Sequence, residues 1–247
     1  MDAQQVRVAA VVAHSVSETI PCSIIIPVLN EAVHLPAQLT ELQKWRQAGH
    51  EVIVVDGGSG DASVVIASPL VDQVITSEKG RAVQMNNGAA RASNSWLVFL
   101  HVDTFFSGTA MNSLQAVFCD DDVAWGRFNV RLSAASPLLK LVSILMNIRS
   151  RLTGIATGDQ VMFMRKTVFE QVAGFPNIAL MEDISLSSKL KKIASPYCVK
   201  EFVTSSSRRW QKHGVVKTIL MMWSLRLRYF FGASPGVLAE RYDSAPK

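Results

Sequence analysis

Apolar residues fall in short continuous runs separated by stretches of helical period. Ser23 to Val28 (SIIIPV), Glu51 to Val55 (EVIVV) and Trp96 to Leu100 (WLVFL) are rich in β-branched or aromatic residues and are bounded by polar or turn-forming segments. Such runs predict buried strands. Between the first two, Leu35, Leu39, Leu42 and Trp45 recur at helical spacing, and Gly49 supplies a stop. A turn at Asp56-Gly57-Gly58-Ser59-Gly60 opens a helix predicted to about Ser68, followed by a short strand at Asp72 to Thr76. Helices are predicted over Arg81 to Ser93 and Ser107 to Phe118. Strand alternating with helix at this spacing predicts a parallel sheet built from βαβ units.

The pattern changes after about residue 123. Val123 to Leu132, Val161 to Met164 and Tyr197 to Thr204 read as strands. Leu138 to Leu152 reads as an amphipathic helix, Leu186, Leu190 and Ile193 mark one face of another, and Val215 to Phe231 is a long apolar and basic helix. There is no internal repeat and no low-complexity segment. The expectation is one α/β domain over residues 21–247 with a mixed second half, preceded by a flexible leader over 1–20.

Charge changes this picture more than bulk composition does. The chain has 247 residues, 49% of them hydrophobic, enough for a sizeable core. Residues 1–125 hold 13 acids and 6 bases, a net of −7, whereas 126–247 hold 7 acids and 19 bases, a net of +12. The second half is built to meet something anionic, such as a diphosphate, a membrane surface or a nucleic acid. The last is disfavoured, because the basic residues are not interleaved with aromatics on an RNA-binding motif. Cys22, Cys119 and Cys198 form no CxxC and no zinc spacing, which favours a reduced, cytoplasmic setting. Val8 to Ala13 is too short for a signal peptide core and follows Asp2. No stretch reaches the roughly 18 apolar residues of a spanning helix. The best candidate, Val215 to Gly232, is interrupted by Lys217, Arg226 and Arg228.

Acids close the apolar runs. In an open α/β sheet, ligands bind outside the carboxyl ends of the strands, so Asp56 after VIVV and Asp103 after LVFLHV face a ligand edge. Asp56, beside two glycines, suits a base or ribose edge, or else caps its own turn. A carboxylate at the end of a buried strand costs desolvation unless paired or coordinated, so Asp103 suits a hard divalent cation, Mg²⁺ or Mn²⁺; the competing reading is a helix cap near Ser107. Pro27-Val28-Leu29-Asn30-Glu31 ends the first strand, with Asn30 either a helix cap or a ligand contact. Arg81 opens a helix, where a cation opposes the macrodipole unless an anion is near; a solvated basic turn is the alternative. Gly158-Asp159-Gln160 and Glu182-Asp183 complete the acidic set, the latter also favoured at a helix start on structural grounds alone. Arg208-Arg209-Trp210 offers guanidinium forks for phosphate and an indole that either stacks on a sugar or packs in the core.

Taken together, PVLNE, VVDGGSGD, KGRAVQMNNGA, FLHVDT, TGDQ, MEDISLS and SRRW resemble the family 2 glycosyltransferases, in that family's order across residues 23–212. They are similar to those of small soluble members, some assigned to arsenosugar biosynthesis. The resemblance implies an A-type nucleotide-diphospho-sugar transferase fold, a mostly parallel Rossmann-like sheet flanked by helices, and inverting transfer to an acceptor hydroxyl. It implies a nucleotide-binding half over 21–122, an acceptor-side half over 123–212 and a C-terminal amphipathic helix in 213–247. Pro27, Asn30, Glu31 and Asp56 would line the nucleoside pocket, and Arg81 would contact the nucleotide. Asp103 would stand at the second acid of the DxD motif and hold Mg²⁺ or Mn²⁺. Asp159, with Gln160, would face the acceptor or sugar, Asp183 would be the general base with Glu182 beside it, and Arg209 and Trp210 would contact diphosphate and acceptor. Two positions depart from the family: His101 replaces the first acid of DxD, and Ser206 stands for the glutamine of QxxRW. A nucleotidyltransferase is disfavoured because PVLNEAVHLP lacks a Gly-rich basic loop after the first strand. The remaining alternative is a non-catalytic protein whose basic half binds a partner or an anionic membrane, with the helix around Ile219 to Phe231 at the interface.

Overall fold

A computed structural model describes residues 19–243; the expected leader falls almost wholly outside them. One sheet of eight strands runs through the molecule in the order β3-β2-β1-β4-β7-β6-β8-β5. The strands are β1 (Cys22–Val28), β2 (Glu51–Asp56), β3 (Gln73–Thr76), β4 (Trp96–Phe99), β5 (Thr104–Phe106), β6 (Trp125–Leu132), β7 (Met162–Arg165) and β8 (Tyr197–Ser205). The helices, in chain order, are α1 (Leu35–Gln47), α2 (Ser63–Ala67), α3 (Arg81–Arg91), α4 (Ala110–Phe118), α5 (Pro137–Thr153), α6 (Lys166–Gln171), α7 (Glu182–Leu190), α8 (Arg208–His213), α9 (Val215–Phe230) and α10 (Pro235–Asp243).

Pairings β1–β2, β1–β4, β2–β3 and β6–β8 are parallel, whereas β4–β7, β6–β7 and β5–β8 are antiparallel. The mixed second half thus begins where β7 enters against β4. Alternation along the buried strands fills a core on both faces. Ile24 and Ile26 pack with Trp45, Trp96, Phe128 and Phe163, while Ile25 between them packs with Trp125, Met164, Phe169 and Phe175.

The register decides where the motifs land. Val28 lies opposite Asp56, and Ile25 opposite Phe99, so β1, β2 and β4 all deliver their following loops to one edge. Because β7 is antiparallel to β4, with Met162 opposite Phe99, its preceding turn at Gly158–Gln160 reaches that same edge. The end of β8 joins them, since the Ser206 N–H donates to the Asp103 carbonyl at 3.0 Å.

Several elements differ from the sequence expectation, among them the short helix α6, which no hydrophobic period marks. The helix expected from Ser107 starts at Ala110, because Thr104–Phe106 is taken into β5 by pairing with Phe106 opposite Val203. Three residues carry no readable period. The polar segment 208–213 is helical, held by Trp210 packing against the cluster of Leu132, Leu139 and Val142. A last helix, α10, follows Gly232, which takes a positive φ of 86°.

Helix α3 crosses β1 and β2 at Gly88, where an added Cβ would overlap Ile25 and approach Val55 Cγ2 to 3.0 Å. Gly88→Ala is expected to destabilise the fold by about 1–3 kcal/mol through overpacking, despite alanine's better helix propensity. A fall in the urea midpoint at constant m-value checks it, and an unchanged midpoint contradicts it.

Candidate active site

The loop after β1 is stitched to the loop after β2. The Asn30 N–H donates to Ser59 Oγ at 2.8 Å, the Gly60 N–H to Asn30 Oδ1 at 2.8 Å, and the Glu31 N–H to Ser63 Oγ at 2.9 Å. Asn30 sits in the left-handed region at φ 54°, which asparagine tolerates better than most residues. Asp56 is 3% exposed, and its two oxygens differ. Oδ2 accepts the Gly58 and Ser59 N–H groups, both at 2.9 Å, whereas Oδ1 is buried with no partner among the described residues. One oxygen builds the turn and the other finds no donor among the described residues. Gln84, on α3, ties the floor together by donating from Nε2 to the Val28 and Val55 carbonyls at 2.7 Å each.

Further along the same edge, the remaining acids converge. Asp183 opens α7 and accepts two backbone N–H groups, from Gly158 on Oδ2 at 2.9 Å and from Ile184 on Oδ1 at 2.7 Å. Asp159, next to Gly158, feels the charges of Asp103, Asp183, Arg81 and Arg149. Burial first, then repulsion from Asp103 and Asp183, pushes its carboxyl up to about 6. Glu182 is buried and receives Arg81 Nη1 on Oε1 at 3.4 Å; burial and Asp183 raise its pKa. It is placed as the partner of Arg81. Asp103 pairs with Arg208 Nη2 at 3.4 Å, and both also act on Glu31, whose pKa burial raises. His101 lies under Gly158, so close that a Cβ there would strike its ring. Burial, then Arg81, pushes His101 down to about 3, so the imidazole is neutral.

Pro27, Asn30, Glu31 and Asp56 therefore lie at one end of the edge, and Arg81, His101, Asp103, Asp159, Glu182 and Asp183 gather beside them. Gln160 is fully buried; its Oε1 accepts the Thr157 N–H at 3.3 Å and its Nε2 donates to Asn147 Oδ1 at 3.3 Å. That places it as a support of the turn carrying Asp159. Trp210 packs against the apolar cluster at α5. The side chain of Arg209 lies outside the described residues, and Arg208 is the guanidinium found at Asp103. Arg149, which the sequence did not single out, faces Asp159 and Asp183 from α5 with Nε and Nη2 buried and without a partner among the described residues. Its signal was weak, a lone arginine in an apolar helix. Backbone strain brackets the acids. Val161 after the turn and Met181 before Glu182 take φ of 49° and 71°, conformations that persist where the surroundings over-determine them and that cluster at functional sites.

No group of three or more metal-ligating side chains forms among the described residues. The donor set nevertheless suits a cation shared with a ligand. Asp103 offers hard oxygen, and the repulsion raising Asp159 is what a divalent cation relieves. Mg²⁺ and Mn²⁺ sites of this kind use one or two carboxylates with phosphate and water completing the shell.

The raised carboxyl has a consequence for stability. A group whose folded pKa exceeds its unfolded value stabilises the fold below the unfolded value, here 3.8, and that contribution is lost as pH rises through about 6. Asp159→Asn removes the loss. Its melting temperature relative to wild type is expected to climb between about pH 4 and pH 7 without metal; a flat difference across that range contradicts the crowding of acids.

A sheet of this topology with acids and cations gathered at its ligand edge defines the A-type nucleotide-diphospho-sugar transferase fold. Solved structures agree. The mannosyltransferase PcManGT from Pyrobaculum calidifontis, in complex with GDP-Man and Mn²⁺, superposes with a TM-score of 0.58 at 17% identity, covering 82% of this chain and 63% of that one. S. aureus TarS 1–349 in complex with UDP-GlcNAc gives 0.59 at 17% identity over 75% of this chain and 58% of that one. The profile of glycosyl transferase family 2 matches residues 23–169, and the chain belongs to that family. PGL/p-HBAD biosynthesis glycosyltransferases of Mycobacterium bovis and Mycobacterium tuberculosis are 38% identical over 88 residues, 33% of this chain. The chain aligns with about a third (34%) of the length of those relatives.

Proposed function

We propose that this protein is an inverting glycosyltransferase that moves a sugar from a nucleotide-diphospho-sugar to an acceptor hydroxyl. The observation that carries the reading is the pairing, on one sheet edge, of a buried unpartnered Asp56 Oδ1 with the convergent acids Asp103, Asp159 and Asp183. The donor's nucleoside lies against Pro27, Asn30, Glu31 and Asp56. Its diphosphate faces Arg81, Arg208 and Arg209. Asp103 would hold Mg²⁺ or Mn²⁺, and the ion when bound would supply charge neutralisation to the leaving group. The acceptor oxygen bonds to the anomeric carbon from the face opposite the diphosphate. As that bond forms, the carbon–oxygen bond to the diphosphate breaks and the acceptor proton passes to Asp183. The two backbone N–H groups on Asp183 fix the carboxylate without occupying all its lone pairs. Asp159 lies where the acceptor or sugar approaches, and Glu182 holds Arg81.

The setting of this reading is cytoplasmic, with a small-molecule or lipid-linked acceptor and an anionic membrane face as a partner. Among the described residues no helix is long and apolar enough to cross a membrane.

The test is a thermal-shift screen of nucleoside diphosphates and nucleotide-sugars, each with and without Mn²⁺, followed by product analysis with the donor that responds. A metal-dependent rise for one nucleotide with transfer and inversion at the anomeric carbon supports the reading. Absence of any nucleotide response overturns it in favour of a non-catalytic binding protein on the same fold.

A further inference from the structure

Helices α5 and α9 each present an apolar stripe to solvent. On α5 it is Leu138, Leu141, Leu145, Ile148 and Leu152, all exposed, with Leu152 at 81%. On α9 it is Val216, Leu220, Trp223, Leu227 and Phe230, with Trp223 at 65% and Phe230 at 82%. The spacing of three and four residues places each set on one helix face. The helices are neighbours: Val215 and Ile219 of α9 pack against the cluster that holds Leu139 and Val142 of α5. Their buried sides already serve the core, so these outward stripes are surplus to folding. Contiguous exposed apolar surface of this kind marks an interaction site.

Charge identifies the occupant. Residues 123–158 and 202–239, which contain both helices, hold eleven Lys and Arg and no Asp or Glu. Exposed Lys140, Arg151, Lys217 and Arg228 lie on the two helices among the apolar residues. A second copy of this chain docked by the same face would set cations against cations with no acid to pair them. An anionic bilayer matches both features, taking the stripes into the headgroup boundary and the cations onto lipid phosphates.

We infer that the joint outer face of α5 and α9 is a docking surface for an anionic lipid bilayer, placed so that the site receives its acceptor from the membrane side. The second clause rests on the glycosyltransfer reading. Its geometry is direct. On its inner side α5 carries Arg149 toward Asp159 and Asp183. Met221, Met222 and Tyr229 of α9 pack against the cluster that includes Met181, the residue before Glu182. The bilayer-facing helices are thus the walls of the acceptor side.

The experiment is co-sedimentation of the full chain with vesicles of phosphatidylcholine alone or mixed with phosphatidylglycerol, alongside sedimentation equilibrium without lipid. Pelleting with the anionic vesicles, reduced by salt, is expected. Trp223→Ser is expected to weaken partitioning by at least about tenfold, and Lys217→Gln with Arg228→Gln by about fivefold for each charge. These exposed positions leave the core intact, and each variant's melting temperature confirms it. A chain that stays in the supernatant with both vesicle types overturns the proposal. So does a dimer that Leu145→Ser dissociates, which assigns the face to a second copy. The nucleotide response is measured on the same samples. Lost vesicle binding with that response intact removes the docking surface alone, and the converse removes the transferase reading alone.

Discussion

Asp183→Asn is expected to lower transfer by roughly 10²- to 10⁴-fold, the range for losing a positioned general base, while the nucleotide-induced thermal shift persists. The substitution is nearly isosteric, yet it is not silent. Asp183 accepts backbone N–H groups on both oxygens. Asparagine keeps one acceptor and turns an NH₂ toward the other donor, which costs about 1–3 kcal/mol where that donor is buried. A modest fall in melting temperature is therefore part of the expected result. What separates catalysis from folding is the split between readouts, with transfer nearly lost and nucleotide binding kept. Near-normal transfer by a folded Asp183→Asn protein would move the proton acceptor to Asp159, whose carboxyl stands at about 6. Loss of nucleotide binding in a folded variant would remove the assignment altogether.

Asp103→Ala is expected to abolish the metal dependence of nucleotide binding and to cost several kcal/mol of transition-state stabilisation. The ion pair with Arg208 complicates the inference and supplies its control. At 3.4 Å between half-exposed side chains, that pair contributes little to stability. Arg208→Gln is therefore expected to leave the fold and the metal dependence in place while weakening nucleoside diphosphate binding. Equal nucleotide affinity with and without Mn²⁺ in the wild type would defeat the assignment of Asp103. So would a metal response that survives in Asp103→Ala.

The first half was legible because its signals are local. A strand that is buried on both faces reads as a continuous apolar run, and the turn residues that close it are themselves the ligand-edge residues. Asp56 and Asp103, each closing an apolar run, are therefore expected at the ligand edge from the sequence alone. Beyond residue 123 the site is assembled by pairings that no local pattern encodes. Asp159 reaches the edge only because β7 runs antiparallel to β4, and Asp103 meets Arg208 only because Thr104–Phe106 pairs with β8. Arg149 shows the limit most plainly. In sequence it is one base on an apolar helix, and only the packing of α5 reveals that it faces two acids. Gln160 shows the reverse, a polar residue in a site motif that the fold uses for its own turn. The period of α5 marks an amphipathic helix but not which of its apolar residues stay exposed.

The divided carboxylate of Asp56 limits how this protein's descendants can change. Its Oδ2 shapes the loop from Gly57 to Ser59, and its Oδ1, buried without a partner among the described residues, takes the donor's nucleoside in the function proposed above. A substitution that retunes the second oxygen for another nucleobase also unmakes the loop that the first one holds. Drift in donor preference is thus channelled away from this position, toward neighbours such as Pro27 and Glu31 that carry no second duty on that turn. A laboratory search for altered donor use would gain most by holding Asp56 fixed and randomising around it.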